Sequence, residues 1–344
     1  MNNNINWGII GLGNIAHQFA KSLILTKNAR LFAVASNTKK KLDQFKNDYN
    51  ILNENCYANY EKLISNKNVD IVYIALPNSL HQEWIMKCIE FNKNILVEKP
   101  AFIHFGQAEE VFSNPALNNI FLGEGFMFRY HPQIKKVVDL IKSDKIGNIN
   151  SMNSNFGINL IRKKKFFGLL KKKIDTKKRI FNKELGGGAI FDLGSYTISM
   201  ALLIASLVKN IDLENFKIQK LKNIYELKDV DTHSCIDIVF DNKFEVNLQV
   251  SFAENIGNTT TIVGEKGKII IENSWSPDLG KIKVVSEKEE TFNLGDSENI
   301  YSLLIENISN DIKNKKIEAS YPGMNKKEIL INSKILHYWK NEKR

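Results

Sequence analysis

Cysteine is scarce in this 344-residue chain: Cys56, Cys88 and Cys235 are odd in number and show no CxxC spacing. That excludes a disulfide frame and a cysteine zinc site, and it points to a reducing compartment. Long apolar runs are missing too. The most apolar helix-like stretch, Ile198–Val208, is too short to cross a bilayer. The opening MNNNINWGIIGLG has neither the basic region nor the long apolar stretch of a secretion signal, so the expected location is cytoplasmic. His17, His104, His233 and His337 lack metal-ligand spacing, and no metal is expected. Positive charge is also confined. Between Arg162 and Arg179 ten cations face one acid, Asp175, so this segment holds nearly all of the formal +10. A chain near neutral elsewhere, without a groove-reading motif, is not a nucleic-acid binder.

What is present is an ordinary globular composition, 43% hydrophobic and 25% charged, in a chain long enough for two cores. The first third alternates short β-rich runs (Asn6–Ile10, Leu31–Ala35, Ile71–Leu76, Ile95–Val97, Ile120–Leu122) with helical stretches (Ile15–Thr26, Lys39–Asn50, Ser79–Phe91, Gly106–Val111). Such alternation predicts a doubly wound parallel sheet. After a helix near Pro132–Ile141 the pattern changes. His233–Phe240, Phe244–Phe252, Thr259–Val263 and Lys268–Ile271 alternate or run apolar around turns at Asp241-Asn242 and Glu265-Lys266-Gly267, which predicts an antiparallel sheet. Helices near Ser297–Asn314 and Asn325–Lys340 close the chain. Residues 159–182 read as an insertion or mobile loop. The predicted fold is thus an α/β Rossmann domain over 1–123, then an α+β domain with an open, mainly antiparallel sheet over 124–344.

Gly11-Leu-Gly13-Asn14-Ile15-Ala16 follows an apolar strand and opens a helix. Glycines there allow a tight turn and close approach of a pyrophosphate to a helix N-terminus. The end of the second strand distinguishes two cofactors, because an acid there would hold a ribose 2′-hydroxyl. This chain has Ser36-Asn37-Thr38-Lys39-Lys40-Lys41 and no acid before Asp43. A hydroxyl, an amide and ammonium groups suit a 2′-phosphate, so NADP is favoured, with NAD the alternative.

Three glycines, Gly186 to Gly188, precede Asp192 and Tyr196, which stand four apart. On a helix that spacing shares one face, and the glycines let backbone come close to a ligand. A carboxylate and a phenol together suit proton transfer to or from an alcohol. Further motifs are Ala75-Leu76-Pro77-Asn78-Ser79-Leu80-His81, Glu98-Lys99-Pro100 and Glu124-Gly-Phe-Met-Phe-Arg129-Tyr-His131-Pro132. Each has a plainer reading: Lys99 as a surface lysine, Asp192 as a helix cap, Tyr196 as core packing, His81 as a helix start, Arg129 stacked on aromatics.

Taken in order along nearly the whole chain, these motifs resemble the glucose–fructose oxidoreductase / inositol dehydrogenase / MocA-like family. The resemblance implies a Rossmann domain and an open sheet that often forms the oligomer interface, hence a homodimer or homotetramer. It implies that Lys99 lies near both nicotinamide and substrate, and that Asp192 occupies the family's acidic position. Tyr196 stands where many members carry histidine, which resembles the branch of dihydrodiol and NADP-dependent xylose dehydrogenases. The expected catalytic residues are Lys99, Asp192 and Tyr196. The expected cofactor residues are Gly11, Gly13, Asn14, Ile15, Ser36, Asn37, Lys41, Leu76, Pro77, Asn78, His81, Glu98, Lys99 and Arg129. The function implied is hydride transfer between a nicotinamide and a sugar, sugar derivative or cyclic polyol. A redox-elimination glycosidase using bound NAD and a non-catalytic NADP-binding regulator are the alternatives. A free phenol titrates near pH ~10, and a neighbouring ammonium lowers that value, so either Tyr196 or Lys99 is the expected proton acceptor. The basic segment 162–179, with its apolar centre, is read as a solvated loop, an attractor for an anionic substrate, or a contact with an anionic membrane surface.

Overall fold

β-branched and aromatic residues crowd the early apolar runs, and those runs become the first sheet. The structure, a computed structural model, describes residues 4–162, 164–165, 170–171, 174–227, 229–275, 280–294 and 299–341. The first elements are β1 (Ile5–Ile10), α1 (Asn14–Ile24), β2 (Ala29–Ala35), α2 (Lys39–Tyr49), β3 (Cys56–Tyr57), α3 (Tyr60–Ile64), β4 (Ile71–Ile74), α4 (His81–Glu90), β5 (Asn94–Val97), α5 (Phe105–Phe112) and β6 (Leu122–Glu124). Then come α6 (Pro132–Lys142), β7 (Ile149–Gly157), the two-residue strands β8 (Lys164–Lys165) and β9 (Leu170–Lys171), and α7 (Ser195–Ala205). Seven strands follow: β10 (Phe216–Ile224), β11 (His233–Phe240), β12 (Phe244–Ser251), β13 (Thr260–Gly264), β14 (Gly267–Glu272), β15 (Lys281–Val285) and β16 (Glu289–Asn293). Helices α8 (Ile300–Lys313) and α9 (Lys326–Asn341) end the chain.

Two compact units result: Met1–Tyr130 with Glu298–Leu330, and His131–Ser297 with Ile331–Arg344. In the first, six parallel strands lie in the order β3-β2-β1-β4-β5-β6. The connections leave β1 toward opposite edges, so a crevice opens beyond the carboxyl ends of β1 and β4. Trp7, Ile9, Phe19, Tyr73, Leu96 and Phe121 build the core, and α8 adds Leu304, Ile305 and Ile308. Trp7 Nε1 donates to Ser309 Oγ at 3.0 Å and Phe19 stacks on Tyr73 at 3.8 Å. Helix α8 therefore packs with the first sheet although it follows the second in sequence.

The second unit holds eight strands in the order β10-β11-β12-β7-β13-β14-β15-β16. All neighbours are antiparallel except β12 and β7, which run parallel. The predicted turn between β11 and β12 spans Asp241, Asn242 and Lys243, and Asp241 and Asn242 have positive φ near 50°, a left-handed geometry that Asp and Asn tolerate. Strands β3, β7, β10, β15 and β16 and helix α3 have no counterpart in the sequence-based prediction, and β6 lies about two residues beyond its predicted place. The expected apolar run falls on α7, and together with the turns before it forms a longer apolar stretch. Lys183–Ala205 is 23 residues, long and apolar enough to cross a bilayer, but 94% of its apolar window is buried inside the fold. It is a core element here.

Candidate active site

In the first unit, local chain geometry builds the crevice. Gly11 has φ +86°, and a Cβ there would sit 2.6 Å from the Ala75 carbonyl oxygen. Only glycine lets β1 turn this tightly against the loop after β4. Gly13 caps α1 without a side-chain hydrogen bond and with open space where its Cβ would be. The first N–H groups of α1 are thus left for an outside acceptor. A cavity of about 920 Å³ runs between α1 and α2 from this end, lined by Gly13, Asn14, His17, Lys41, Asp48 and Tyr49 among others. His17 Nδ1 meets the Tyr49 hydroxyl at 3.0 Å. Ser36 is buried and its Oγ accepts from Thr38 N at 3.1 Å. Asn37 and Lys41 are exposed, and the first turn of α2 contains no acid. These residues fit a dinucleotide: an open helix N-terminus for the pyrophosphate and cations with a helix N-terminus beyond it.

The loops after β4 and β5 are fastened together by His81. It is fully buried, with Nδ1 2.9 Å from the Pro100 carbonyl and Nε2 2.9 Å from the Leu76 carbonyl. Glu98 is buried, hydrogen-bonded to the Tyr73 hydroxyl, and its Oε2 accepts from Lys99 N at 3.3 Å. Glu124 Oε1 accepts from Ala101 N at 2.9 Å. The Glu98-Lys99-Pro100 turn is therefore held on three sides while Lys99 stays half-buried. Asn78 is buried in the turn that opens α4, just before His81. Arg129 is engaged by groups of the protein itself. Its exposure is 0%, and its Nη atoms bind both oxygens of Glu328 at 3.2–3.3 Å and the Pro322 carbonyl at 3.2 Å. His81 and Arg129 thus hold backbone in place, with the described ring nitrogens of His81 committed to carbonyls.

In the second unit the acid and the phenol lie on one helical stretch. Asp192 belongs to a π-helical turn, Ile190–Gly194, that runs into α7, which carries Tyr196. Such turns recur at functional sites. The cap of this stretch is another residue: Asp231 Oδ2 accepts from Ile190 N at 2.7 Å and its carbonyl from Ala189 N at 3.0 Å. Asp231 is fully buried and paired with Lys340 of α9. The capping role considered for Asp192 is therefore filled by Asp231. Gly187 and Gly188 also sit close against the protein itself. A Cβ on Gly187 would lie 2.5 Å from the Arg179 carbonyl oxygen, and one on Gly188 (φ +115°) 2.3 Å from Asp231 Oδ1. Their close approach is to the protein itself, because the loop 179–188 folds back on the helix start: Gly187 N binds the Asn182 carbonyl at 2.9 Å and Gly188 N the Ile180 carbonyl at 3.0 Å.

Asp192 Oδ1 accepts from Arg179 Nη2 at 2.7 Å. Tyr196 is 8% exposed, its ring 5.6 Å from Phe156 and 6.0 Å from Trp275, which stack on each other at 5.5 Å. Trp275 Nε1 donates to the Asn155 carbonyl at 3.0 Å. An aromatic pair fixed in this way restricts the rotamer of the Tyr196 ring. Sequence reasoning missed Arg179, Phe156, Trp275 and Asp231. Arg179 was hidden by its basic neighbours, and the others carry no local motif. At the start of the basic segment Arg162 binds Glu226 and Glu254 at 2.5 Å each. The cationic triplets and their apolar centre, 163–173, lie outside the described residues except for the backbone pairing of β8 with β9.

Comparison with known proteins agrees with both halves. Residues 5–119 match the model of an oxidoreductase family with an NAD-binding Rossmann fold, and residues 134–270 match the GFO/IDH/MocA C-terminal domain. A trans-1,2-dihydrobenzene-1,2-diol dehydrogenase of Xenopus tropicalis is 25% identical over 84% of this chain and 81% of its own length. A D-xylose 1-dehydrogenase (NADP(+)) of Hypocrea jecorina is 31% identical over 57% of this chain and 51% of its own. Among solved structures, the 3-ketoreductase KijD10 from Actinomadura kijaniata in complex with NADP and TDP-benzene superposes with a TM-score of 0.79. It is 22% identical and covers 98% of this chain and 97% of that one, a likeness of fold.

Proposed function

The chain belongs to the Gfo/Idh/MocA oxidoreductase family, and from that premise we propose that it moves hydride between NADP and a hydroxyl-bearing carbon of a sugar or cyclic polyol. The observation that carries the reading is the acid-free first turn of α2, whose Lys41 lines the same cavity as Gly13 and Asn14 at the open α1 N-terminus. A carboxylate at that place would repel a 2′-phosphate, whereas Lys41 attracts it. The relatives' names support the substrate class: a dihydrodiol and an aldose. Gly11, Gly13, Asn14 and Ile15 would hold the pyrophosphate, Ser36, Asn37 and Lys41 the ribose phosphate, and Leu76, Pro77 and Asn78 the nicotinamide side. Bound nicotinamide supplies the hydride acceptor or donor.

The remaining chemistry belongs to side chains. In the oxidising direction the substrate loses a C–H hydride and an O–H proton, giving the carbonyl. Tyr196 or Lys99 takes the proton, and Asp192 orients the hydroxyl. Glu98, His81 and Arg129 hold the loops that present these groups. A homodimer or homotetramer in the cytoplasm, with the open sheet as the contact, completes the reading; the three cysteines are free, as a reducing compartment requires. The test is an absorbance assay at the reduced-nicotinamide band with NADP⁺ or NAD⁺ and a panel of aldoses, inositols and trans-cyclohexane-1,2-diol. Steady NADPH accumulation is expected. Sugar release without net cofactor change would point to redox elimination and refute the proposal.

A further inference from the structure

Two of the arginine–carboxylate pairs among the described residues, Arg129 with Glu328 and Arg179 with Asp192, differ in completeness. Arg129 spreads both Nη atoms over Glu328 and fills its remaining capacity with backbone carbonyls. It is an arginine in structural use, with the bidentate fork that makes such pairs strong. Arg179 engages Asp192 through one nitrogen only, Nη2 to Oδ1 at 2.7 Å. Its Nη1 is shielded from solvent and has no hydrogen-bond acceptor among the described residues. The guanidinium is otherwise well placed. Arg179 opens the turn Arg179–Phe181, and the carbonyl groups of that turn and of Asn182 receive Gly187 N and Gly188 N. Phe181 packs edge-on against Phe252 at 6.0 Å. The glycine loop and the arginine thus form one piece with the helix that carries Asp192 and Tyr196.

The Arg179 side chain is 34% exposed, but its Nη1 atom is shielded, and a shielded donor without an acceptor is costly unless a water, an ion or a ligand oxygen completes it. The spare N–H lies on the same guanidinium that grips the acid assigned to orient the substrate hydroxyl. An oxygen on the neighbouring carbon would reach it. We propose that Arg179 is a substrate-contacting residue: Nη2 holds Asp192, and Nη1 donates to the oxygen adjacent to the carbon that is oxidised or reduced. The inference rests on the preceding reading and narrows it to vicinal diols and the α-hydroxy ketones they yield on loss of one hydride and one proton. A simple alcohol leaves Nη1 unsatisfied and gains nothing from it.

The experiment compares wild type, Arg179→Gln and Arg179→Lys, each first checked by thermal melting. For each, KM and kcat are measured for trans-cyclohexane-1,2-diol with NADP⁺, together with the inhibition constant of cyclohexanol against that diol. In Arg179→Gln, KM for the diol should rise on the order of 10- to 100-fold, the discrimination a site loses when a buried polar partner is removed. The cyclohexanol inhibition constant should stay close to its wild-type value. Arg179→Lys keeps a charge beside Asp192 but lacks the second donor, so it should show the same KM rise with a smaller loss in kcat. If glutamine unfolds the protein, the lysine variant carries the comparison. Equal losses for diol and cyclohexanol would assign Arg179 to holding Asp192 alone and overturn the inference, as would no loss for either. A wild-type enzyme that binds NADP yet oxidises neither diols nor sugars would instead refute the preceding reading. A wild-type enzyme that oxidises sugars but handles diol and cyclohexanol alike would refute this one alone.

Discussion

The two units hold their candidate site residues with opposite kinds of contact. In the first, the groups that matter are neighbours in sequence: Gly11 to Asn14 turn directly off β1, and Glu98 and Lys99 turn directly off β5. Their support is mostly backbone, and Gly11 is needed because the Ala75 carbonyl, just past β4, stands where a side chain would begin. In the second, every partner is distant in the chain. Arg179 and Asp192 are 13 residues apart, Asp231 and Ile190 are 41 apart, Lys340 and Asp231 are 109 apart, and Trp275 and Asn155 are 120 apart. Short motifs make a binding turn that sequence displays openly. Long-range pairs fix the helix that carries Asp192 and Tyr196, whose setting sequence conceals.

That contrast can be tested by variants, taken in descending order of effect. Asp231→Ala removes the cap of that helix and strands the Lys340 ammonium, which is only 12% exposed. Losing one partner of such a pair should cost about 3 kcal/mol, read as a lower urea midpoint. Gly11→Ala and Gly188→Ala form a matched pair, each forcing a Cβ into strained backbone with φ +86° or +115°. Each should cost about 2 kcal/mol. The first should abolish cofactor binding in a titration, and the second should leave binding intact while turnover falls. Lys41→Ala should weaken NADP binding roughly 10-fold, about 1.4 kcal/mol, and leave NAD binding unchanged. Smallest is Asp144→Asn. The Lys266 hydrogen bond holds Asp144 below its usual carboxylate value. Its contribution is therefore present above the unfolded value and lost as pH falls through the folded one. Because the pair is solvent-exposed, no change in melting temperature is expected at neutral pH and physiological salt.

The same contrast explains which parts of the fold were legible. Strands of a parallel sheet covered on both faces read as continuous apolar runs, and Trp7–Ile10 or Ile71–Ile74 announce themselves. Strand β7 sits in the middle of the second sheet, yet it reads INSMNSNFG. Met152, Ser154 and Phe156 face inward while Asn150, Asn153 and Asn155 stay at least partly exposed, and asparagine disfavours strands on propensity alone. Strand β10, FKIQKLKNI, hides in the same way behind its lysines. Helix α8 was recognisable as a helix from its periodicity, but nothing local says that it packs with the first sheet. At the site, the acid, the phenol and the Glu98-Lys99-Pro100 turn were visible because each sits in a compact motif. Arg179 was not, since one arginine among ten cations carries no signal until the chain closes it onto Asp192.

The most direct test of the account is a paired measurement on wild type and Tyr196→Phe: NADP affinity by titration, and NADPH formation with a sugar or diol that wild type oxidises. The division of labour described here predicts unchanged affinity and a fall in turnover of roughly 10²-fold or more. Full turnover in the phenylalanine variant, or loss of cofactor binding along with it, would contradict that division.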